Sequence, residues 1–376
     1  MGMIRPFEEE RIEIKEFKQM LSSCSSVQRR KDDDRFHDQP EKLALQSDHD
    51  VTETLICVTS GVSFVGIAIV NRLLLRGYSV RVLVTNEEEL EKLREIAGNI
   101  DITNGTTMLT AVTADINEVQ SLSDAFNGCQ GVFHTAAFID PAGLSGYSKA
   151  MAGIELKTCE NVMVACSRTT TVRRCVLTSS LVACLWREDS SNCDNDPSSS
   201  SSSSTIINHH SWSDESVCLK NKLWYALGKL RAEKCAWRII GEQKRVRLVT
   251  ICAGLVTGPE FPHRNPTSTF AYLKGVQHMY AKGLLATVDV HRLADAHLLL
   301  FEAMDDEESF GRYICFDNVV QCQTEADDLA RQLGSNATII TGNNPSPASP
   351  RFQLSNLKLS KLMMTTLGCN SNNNVI

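Results

Sequence analysis

From residue 55 onward the chain alternates two hydrophobic patterns. Leu55-Ile-Cys-Val58 is a short unbroken apolar run, as expected of a parallel strand buried on both faces. A turn of small residues follows, after which Ile67, Val70, Leu73 and Leu74 recur at helical spacing. The alternation repeats along the chain. Further strands are predicted over Gly77–Thr85, Thr107–Thr113, Gly131–Ala137, Arg174–Ala183 and Arg247–Cys252. Helices are predicted over Glu87–Ile96, Val119–Phe126, Ala152–Thr169 and Trp224–Ile240. Short strands alternating with helices predict an α/β fold, a doubly wound parallel sheet.

The flanks of this pattern read differently. Residues 1–50 form a charged extension: Ile12, Ile14, Phe17, Met20 and Leu21 give Glu8–Leu21 one apolar face, and a polar linker follows. That helix either packs on the parent domain or meets a protein partner. Residues 51–255 make the dinucleotide-binding unit, broken at 187–214 by a flexible excursion with seven consecutive serines, Ser198 to Ser204. Beyond Gly258-Pro259 the pattern becomes irregular, so 256–368 is expected to form a smaller substrate lobe. It closes with a helix near Ser355–Thr365, and 369–376 is a polar tail.

Composition narrows the class. A net charge of -7 without a basic stripe excludes a generic nucleic-acid binder. The 14 cysteines are scattered singly, with no C-x-x-C pair, which excludes a zinc knuckle or disulfide framework and fits reduced, buried thiols. The first residues carry no apolar leader core, and no run is long enough to cross a bilayer. Met1-Gly2 opens like a myristoylation signal, but Pro6 occupies the serine or threonine position. The expected compartment is the cytoplasm, with no membrane partner and no metal.

The turn after the first strand, Thr59-Ser-Gly-Val-Ser-Phe-Val-Gly66, is a dinucleotide fingerprint with Ser60, Ser63 and Gly66 at the three glycine positions. Its backbone N–H groups must approach a pyrophosphate closely, and a serine hydroxyl could add a donor. Taken alone it is equally an ordinary strand-to-helix turn. Tyr225 and Lys229 lie four apart, one turn along a single helical face, where an ammonium can favour the phenolate. Ser180 ends a predicted strand at the ligand-binding edge of the sheet, and its hydroxyl can steady a carbonyl oxygen. Ser179 is the one-residue alternative, facing the opposite way. The three features in this order point to a Ser-Tyr-Lys carbonyl chemistry. His134 reads as a packed core histidine, His209-His210 matches no metal spacing, and Asp289, His291 and Asp295 read as helix capping and surface charge.

These residues resemble the extended short-chain dehydrogenase/reductases, and within them the plant cinnamoyl-CoA reductase and dihydroflavonol reductase group, above all the cinnamoyl-CoA reductase-like proteins. The resemblance covers roughly residues 53–367. It rests on Val58–Gly66, Gly77-Tyr-Ser-Val-Arg81, Gly128-Cys-Gln-Gly-Val-Phe-His134, Val176-Leu-Thr-Ser-Ser180, Asn221-Lys-Leu-Trp-Tyr-Ala-Leu-Gly-Lys-Leu230, Val256-Thr-Gly-Pro259 and Gly311-Arg-Tyr-Ile-Cys315. It departs at Leu223, Ala226 and Leu227, where cinnamoyl-CoA reductases carry Asn, Cys and Tyr, at Ala253 for proline and at Arg292 for aspartate.

The resemblance implies a Rossmann-type NADP(H)-dependent reductase, with NAD(H) the alternative, and Ser180, Tyr225 and Lys229 as the catalytic set. The substrate it implies is a small phenylpropanoid-like aldehyde, ketone or hydroxycinnamoyl-type thioester. Implied cofactor contacts are Thr59, Ser60, Gly61, Ser63, Phe64, Val65 and Gly66 in the turn, Asp115 and Ile116, Thr135, Ala136 and Ala137, Tyr225 and Lys229, and Ala253 and Val256. Relatives read the NADP 2′-phosphate with an arginine where this chain has Thr85. Arg81 lies two pleats earlier on the same face and Lys92 one turn into the next helix, which leaves them as the candidate cations. NADPH is therefore expected to be preferred, by less than in the arginine-bearing relatives. A second reading, motivated by the altered loop and tyrosine flank, is a catalytically weak dinucleotide-binding protein acting in signalling or defence through its N-terminal extension.

Overall fold

The computed structural model describes residues 54–98, 108–135, 147–188, 205–304, 309–342 and 352–371. The expected N-terminal helix, its linker and the serine run lie outside these residues. In chain order the first half comprises β1 (Leu55–Val58), α1 (Phe64–Arg76), β2 (Ser79–Val84), α2 (Glu87–Gly98), β3 (Leu109–Thr113), α3 (Val119–Phe126), β4 (Gly131–His134), α4 (Lys149–Arg168), β5 (Arg174–Ser180) and α5 (Val182–Leu185). The chain continues with β6 (Thr205–Ile207), α6 (Glu215–Lys220), α7 (Trp224–Gln243), β7 (Arg247–Ala253), β8 (Leu255–Thr257), α8 (Phe261–Arg264), α9 (Pro266–Tyr272), α10 (Val276–Ala281), β9 (Ala286–Asp289) and α11 (Val290–Ala303). It ends with β10 (Gly311–Cys315), β11 (Asn318–Val319), α12 (Gln323–Gln332), α13 (Thr338–Thr341), β12 (Phe352–Leu354) and α14 (Leu357–Ser371).

Seven strands form one parallel sheet in the order β10-β7-β5-β4-β1-β2-β3. This is the Rossmann-type doubly wound arrangement, in which the strand order reverses between β1 and β4. The strands are apolar throughout because both faces are covered. Ile56 and Val58 point into the core shared with α1 and α11, whereas Cys57 points into the one shared with α3, α4 and α7. In β5, Val176 and its neighbours Cys175 and Leu177 divide between the two cores in the same way. The cysteines of these strands are free and buried, and serve as small apolar residues.

The structure departs from the sequence reading in three places. β5 stops at Ser180, and the apolar residues after it turn into α5 rather than prolonging the strand. The end of the expected flexible excursion is ordered: Thr205–Ile207 pairs in parallel with Phe352–Leu354, and the segment behind it is pinned from below. The region after residue 256 is not purely a separate lobe. Its α11 covers one face of the main sheet and its β10 becomes that sheet's edge strand. The three-stranded sheet β11-β9-β8, with α9 and α10, makes up the smaller part.

The pin is Arg312 on β10. Its guanidinium pairs with Glu233 on α7 at 2.7 Å, with side-chain exposures of 8% and 0%. It also donates to the carbonyls of His209 (3.0 Å) and Ser211 (2.6 Å) and lies 3.4 Å from the Trp212 ring centroid. Glu233 in turn accepts from Ser179 (2.9 Å) on β5 and Thr250 (2.6 Å) on β7. Every oxygen and most of the fork are satisfied, which is the condition for burying such a pair. Removing one partner strands the other charge in the core. Arg312→Ala is expected to cost about 3–5 kcal/mol of unfolding free energy, read by urea denaturation, whereas a loss below about 1 kcal/mol would show that the pair behaves as a surface contact.

Candidate active site

The turn Thr59–Gly66 sits at the carboxyl end of β1, at the reversal of strand order. Thr59 N–H donates to Phe133 O at 3.0 Å, fastening the turn's start to β4. Ser63 caps α1: its Oγ accepts the Gly66 N–H at 3.1 Å and donates to the Ser60 carbonyl at 2.7 Å. The Ser63 hydroxyl is thus consumed inside the turn, and the extra phosphate donor expected of it is not on offer. The N–H groups of Phe64 and Val65 remain, having no carbonyl one turn back within the helix. Gly66 is required by contact, since a Cβ there would lie 1.9 Å from the Ser60 carbonyl oxygen. Thr135, just past β4, has a buried hydroxyl with no partner among the described residues. A helix N-terminus without side-chain bulk and an orphaned hydroxyl at the adjoining strand end fit a bound dinucleotide.

Past β2 the structure corrects the sequence reading. Arg81 is committed to the neighbouring helix. Its guanidinium donates to the carbonyls of Ala125 and Asn127, each at 2.8 Å, and so closes the carboxyl end of α3. Lys92 is exposed and paired with Glu88 at 2.7 Å. Thr85 gives both its N–H (2.7 Å) and its hydroxyl (2.9 Å) to Glu89, so a carboxylate occupies the end of β2. Asp115 and Ile116 follow β3, and the loop is ordered by Asp115 accepting the Asn117 N–H at 2.8 Å. Ala253 ends β7 beside Ser180, and Val256 lies in β8. Ala136 and Ala137 lie outside the described residues.

Ser180, Tyr225 and Lys229 are brought together. Ser180 is the last residue of β5, in register with Ala253, and its hydroxyl lies 3.5 Å from the Ala253 carbonyl. Tyr225 opens α7, with Lys229 one turn on and its Nζ 5.6 Å from the ring centroid. Ser180 and Ser268, the latter on α9, lie by the Tyr225 phenol and each favours its ionised form. Ser179 is engaged elsewhere, its hydroxyl donating to Glu233.

The electrostatics differ from the simple expectation. Burial raises the Tyr225 pKa, Lys229 opposes it, and the Glu155 carboxylate raises it further, so the phenol lies above its ordinary value. Burial alone would depress Lys229, but the nearby Glu155 carboxylate, then Tyr225, outweigh it and hold the ammonium up. Glu155 on α4 pairs with Lys229 Nζ at 2.5 Å and also accepts the Tyr147 hydroxyl.

Of the lesser candidates, His134 is wholly buried. Its Nδ1 meets Thr59 Oγ1 at 2.9 Å, and burial plus Lys229 push its pKa down to about 3, so it is neutral. Asp289 caps α11 through the His291 and Arg292 N–H groups, and Asp295 pairs with Arg72. Among the described residues no cluster of three metal-ligating side chains occurs, and no helix is long and apolar enough to cross a membrane. Sequence reasoning missed Glu155, Tyr147 and Ser268. A signal for Glu155 existed: it shares the buried face of α4 with Met151, Ala152, Cys159 and Val162, a lone carboxylate in an apolar stripe.

A doubly wound sheet with this turn at its reversal point and a serine, tyrosine and lysine at its carboxyl edge is the architecture of a dinucleotide-binding oxidoreductase. The chain belongs to the 3-beta hydroxysteroid dehydrogenase/isomerase family, which matches residues 57–252, and is an NAD(P)-dependent reductase of cinnamoyl-CoA reductase-like sequence. It is 34% identical to cinnamoyl-CoA reductase 1 of Petunia hybrida over 72% of this chain and 74% of the relative. It is 32% identical to dihydroflavonol 4-reductase of Arabidopsis thaliana, over 69% and 64%. The fold is shared with yeast methylglyoxal/isovaleraldehyde reductase Gre2 complexed with NADPH (TM-score 0.60, 21% identity, 82% and 93% covered). It is shared also with vestitone reductase from alfalfa, Medicago sativa (TM-score 0.57, 20% identity, 82% and 91% covered).

Because the Gly66 site has no room for a Cβ, Gly66→Ala must shift the turn off the helix start. It is expected to weaken dinucleotide binding at least about 100-fold in a fluorescence titration, and binding within about threefold of wild type would refute the cradle.

Proposed function

We propose that the protein reduces the carbonyl group of a small phenylpropanoid-like molecule with NADP(H), using Ser180, Tyr225 and Lys229. The observation that carries this is that Ser180, at the carboxyl edge of the sheet, and Lys229, one helical turn on, are both gathered at Tyr225. Kinship to cinnamoyl-CoA and dihydroflavonol reductases supports the substrate class. Leu223, Ala226 and Leu227 around the tyrosine favour an aldehyde or ketone over a thioester, since they replace the residues of authentic cinnamoyl-CoA reductases.

The turn at Phe64 and Val65 and the Thr135 hydroxyl would hold the dinucleotide, which supplies hydride to the carbonyl carbon when bound. Ser180 donates a hydrogen bond to the carbonyl oxygen and orients it towards Tyr225. Tyr225 gives its proton to that oxygen as negative charge develops there. Lys229 would meet the ribose of the bound dinucleotide, and its ammonium stabilises the phenolate left behind. Leu181 and Ala253, both buried next to Ser180, keep water from this edge of the sheet.

Two outcomes test this reading. Tyr225→Phe removes the proton donor and leaves the ring, so turnover should fall at least about 10²-fold while dinucleotide affinity survives. Near-normal turnover would contradict the assignment.

The second concerns cofactor choice. With Arg81 committed to α3 and Glu89 at the end of β2, the preference for NADPH over NADH is narrow, less than about tenfold. Glu89→Gln removes the repelling charge and Thr85→Arg adds a cation. Each is expected to tighten NADPH by about tenfold or more with little change for NADH. Dissociation constants for both cofactors check it. A wild-type preference beyond about a hundredfold, or variants that leave the ratio unmoved, would contradict it.

A further inference from the structure

The ion pair between Glu155 and Lys229 stands beside the reacting phenol, and its location gives it a consequence for the chemistry. Both side chains are buried, at 7% exposure for Lys229 and 2% for Glu155, with Nζ and Oε1 2.5 Å apart. The second carboxylate oxygen takes the Tyr147 hydroxyl, and the Tyr147 ring packs edge-on against Tyr225 with centroids 5.1 Å apart. Glu155, Lys229 and Tyr225 are thus linked through one contiguous set of contacts. A small cavity behind the lysine is lined by His134, Ser179 and Glu233 as well as by the pair itself.

The surrounding titratable groups leave Glu155 as the charge that faces the ammonium. His134 on β4 is neutral, pushed down to about 3. Cys159 on α4, Tyr147 ahead of it and Tyr272 on α9 are all driven upward by burial and stay protonated. Glu233 on α7 is answered by Arg312 at 2.7 Å. No other described acidic group lines this pocket.

We propose that Glu155 is a positioning residue for the reduction: by pairing with Lys229 it fixes the ammonium and offsets its charge, which keeps Tyr225 in the protonated form that donates to the substrate. An unopposed ammonium beside Tyr225 would favour the phenolate, the form that accepts a proton in alcohol oxidation. With the carboxylate in place that effect is blunted, and the direction of the Tyr225 shift, upward, agrees. The proton-donating form of Tyr225 thereby persists to higher pH than it would beside an unopposed ammonium. This inference rests on Tyr225 being the proton donor.

The test is the pH profile of kcat/KM for reduction by the full-length chain with NADPH and a carbonyl compound that it turns over. Reduction needs the protonated phenol, so the rate falls as pH rises through the Tyr225 pKa. In wild type that alkaline limb lies above the ordinary tyrosine range. Glu155→Gln is expected to move the limb to lower pH by about one unit or more. Glu155→Asp, which keeps the charge, should hold the limb near its wild-type position, as should Tyr147→Phe, which keeps the carboxylate. Glu155→Met supplies a second neutral side chain if the amide folds poorly, and tyrosinate absorbance, corrected with Tyr225→Phe, reads the same ionisation where turnover is too slow. A Glu155→Gln limb coincident with wild type, alongside an inactive Tyr225→Phe, overturns this inference alone. A Tyr225→Phe variant that keeps its turnover overturns the donor assignment and the inference with it.

Discussion

The buried pair of Arg312 and Glu233 is the contact through which the active-site helix is tied to the sheet. Glu233 lies on α7 one turn beyond Lys229 and two beyond Tyr225. Its two oxygens take hydrogen bonds from Ser179 on β5 and Thr250 on β7, while Arg312 arrives from β10. Three strands and the helix are thereby referred to one carboxylate. The distance between Ser180, at the end of β5, and Tyr225, at the start of α7, is set largely by this node. The same guanidinium fastens residues 209–211, so the chain returning from the serine-rich region is closed over the core rather than left beside it.

A second buried pair, Glu155 with Lys229, adjusts the chemistry at the other end of the same helical face. The two pairs differ in what surrounds them. Arg312 has acceptors on every side and a stacked tryptophan, so its environment is saturated. Lys229 faces a carboxylate, a phenol and a small polar cavity. Burial alone would depress an ammonium and raise a phenol. The lysine stays charged because Glu155 outweighs the loss of solvent, and that same carboxylate reduces the help Lys229 can give to the phenolate. One substitution of charge at position 155 therefore touches two members of the catalytic set, Tyr225 and Lys229.

Much of the fold was legible in the sequence because strands buried on both faces must be apolar throughout, and the helices between them must not. Leu55–Val58, Val119–Phe126 and Arg247 onward are placed where the pattern puts them. Gly66 and the Tyr225, Lys229 pair were legible for the same reason: their spacing is dictated by contact. Less legible were features made by long-range partners. Arg81 shares a strand face with the cofactor side but is taken by carbonyls at the end of α3 that lie some 45 residues away in sequence. β6 has three residues and exists because β12 returns to it. β10, read as part of a separate lobe, joins the main sheet beside β7. Glu155 went unread although its place in the apolar stripe of α4 marked it as inward-facing; what the sequence could not show is that the cation meeting it, Lys229, comes from α7.

The central claim is that hydride reaches a carbonyl carbon while Tyr225 protonates its oxygen. The most direct measurement offers the protein NADPH deuterated at the nicotinamide C4 together with a panel of aromatic aldehydes, ketones and hydroxycinnamoyl thioesters, and locates the label by mass spectrometry. The account predicts an alcohol (or, from a thioester, an aldehyde) carrying deuterium on the former carbonyl carbon, formed in step with NADPH oxidation. Tight NADPH binding with no labelled product from any member of the panel, or NADPH oxidation with the label lost to water, would contradict it.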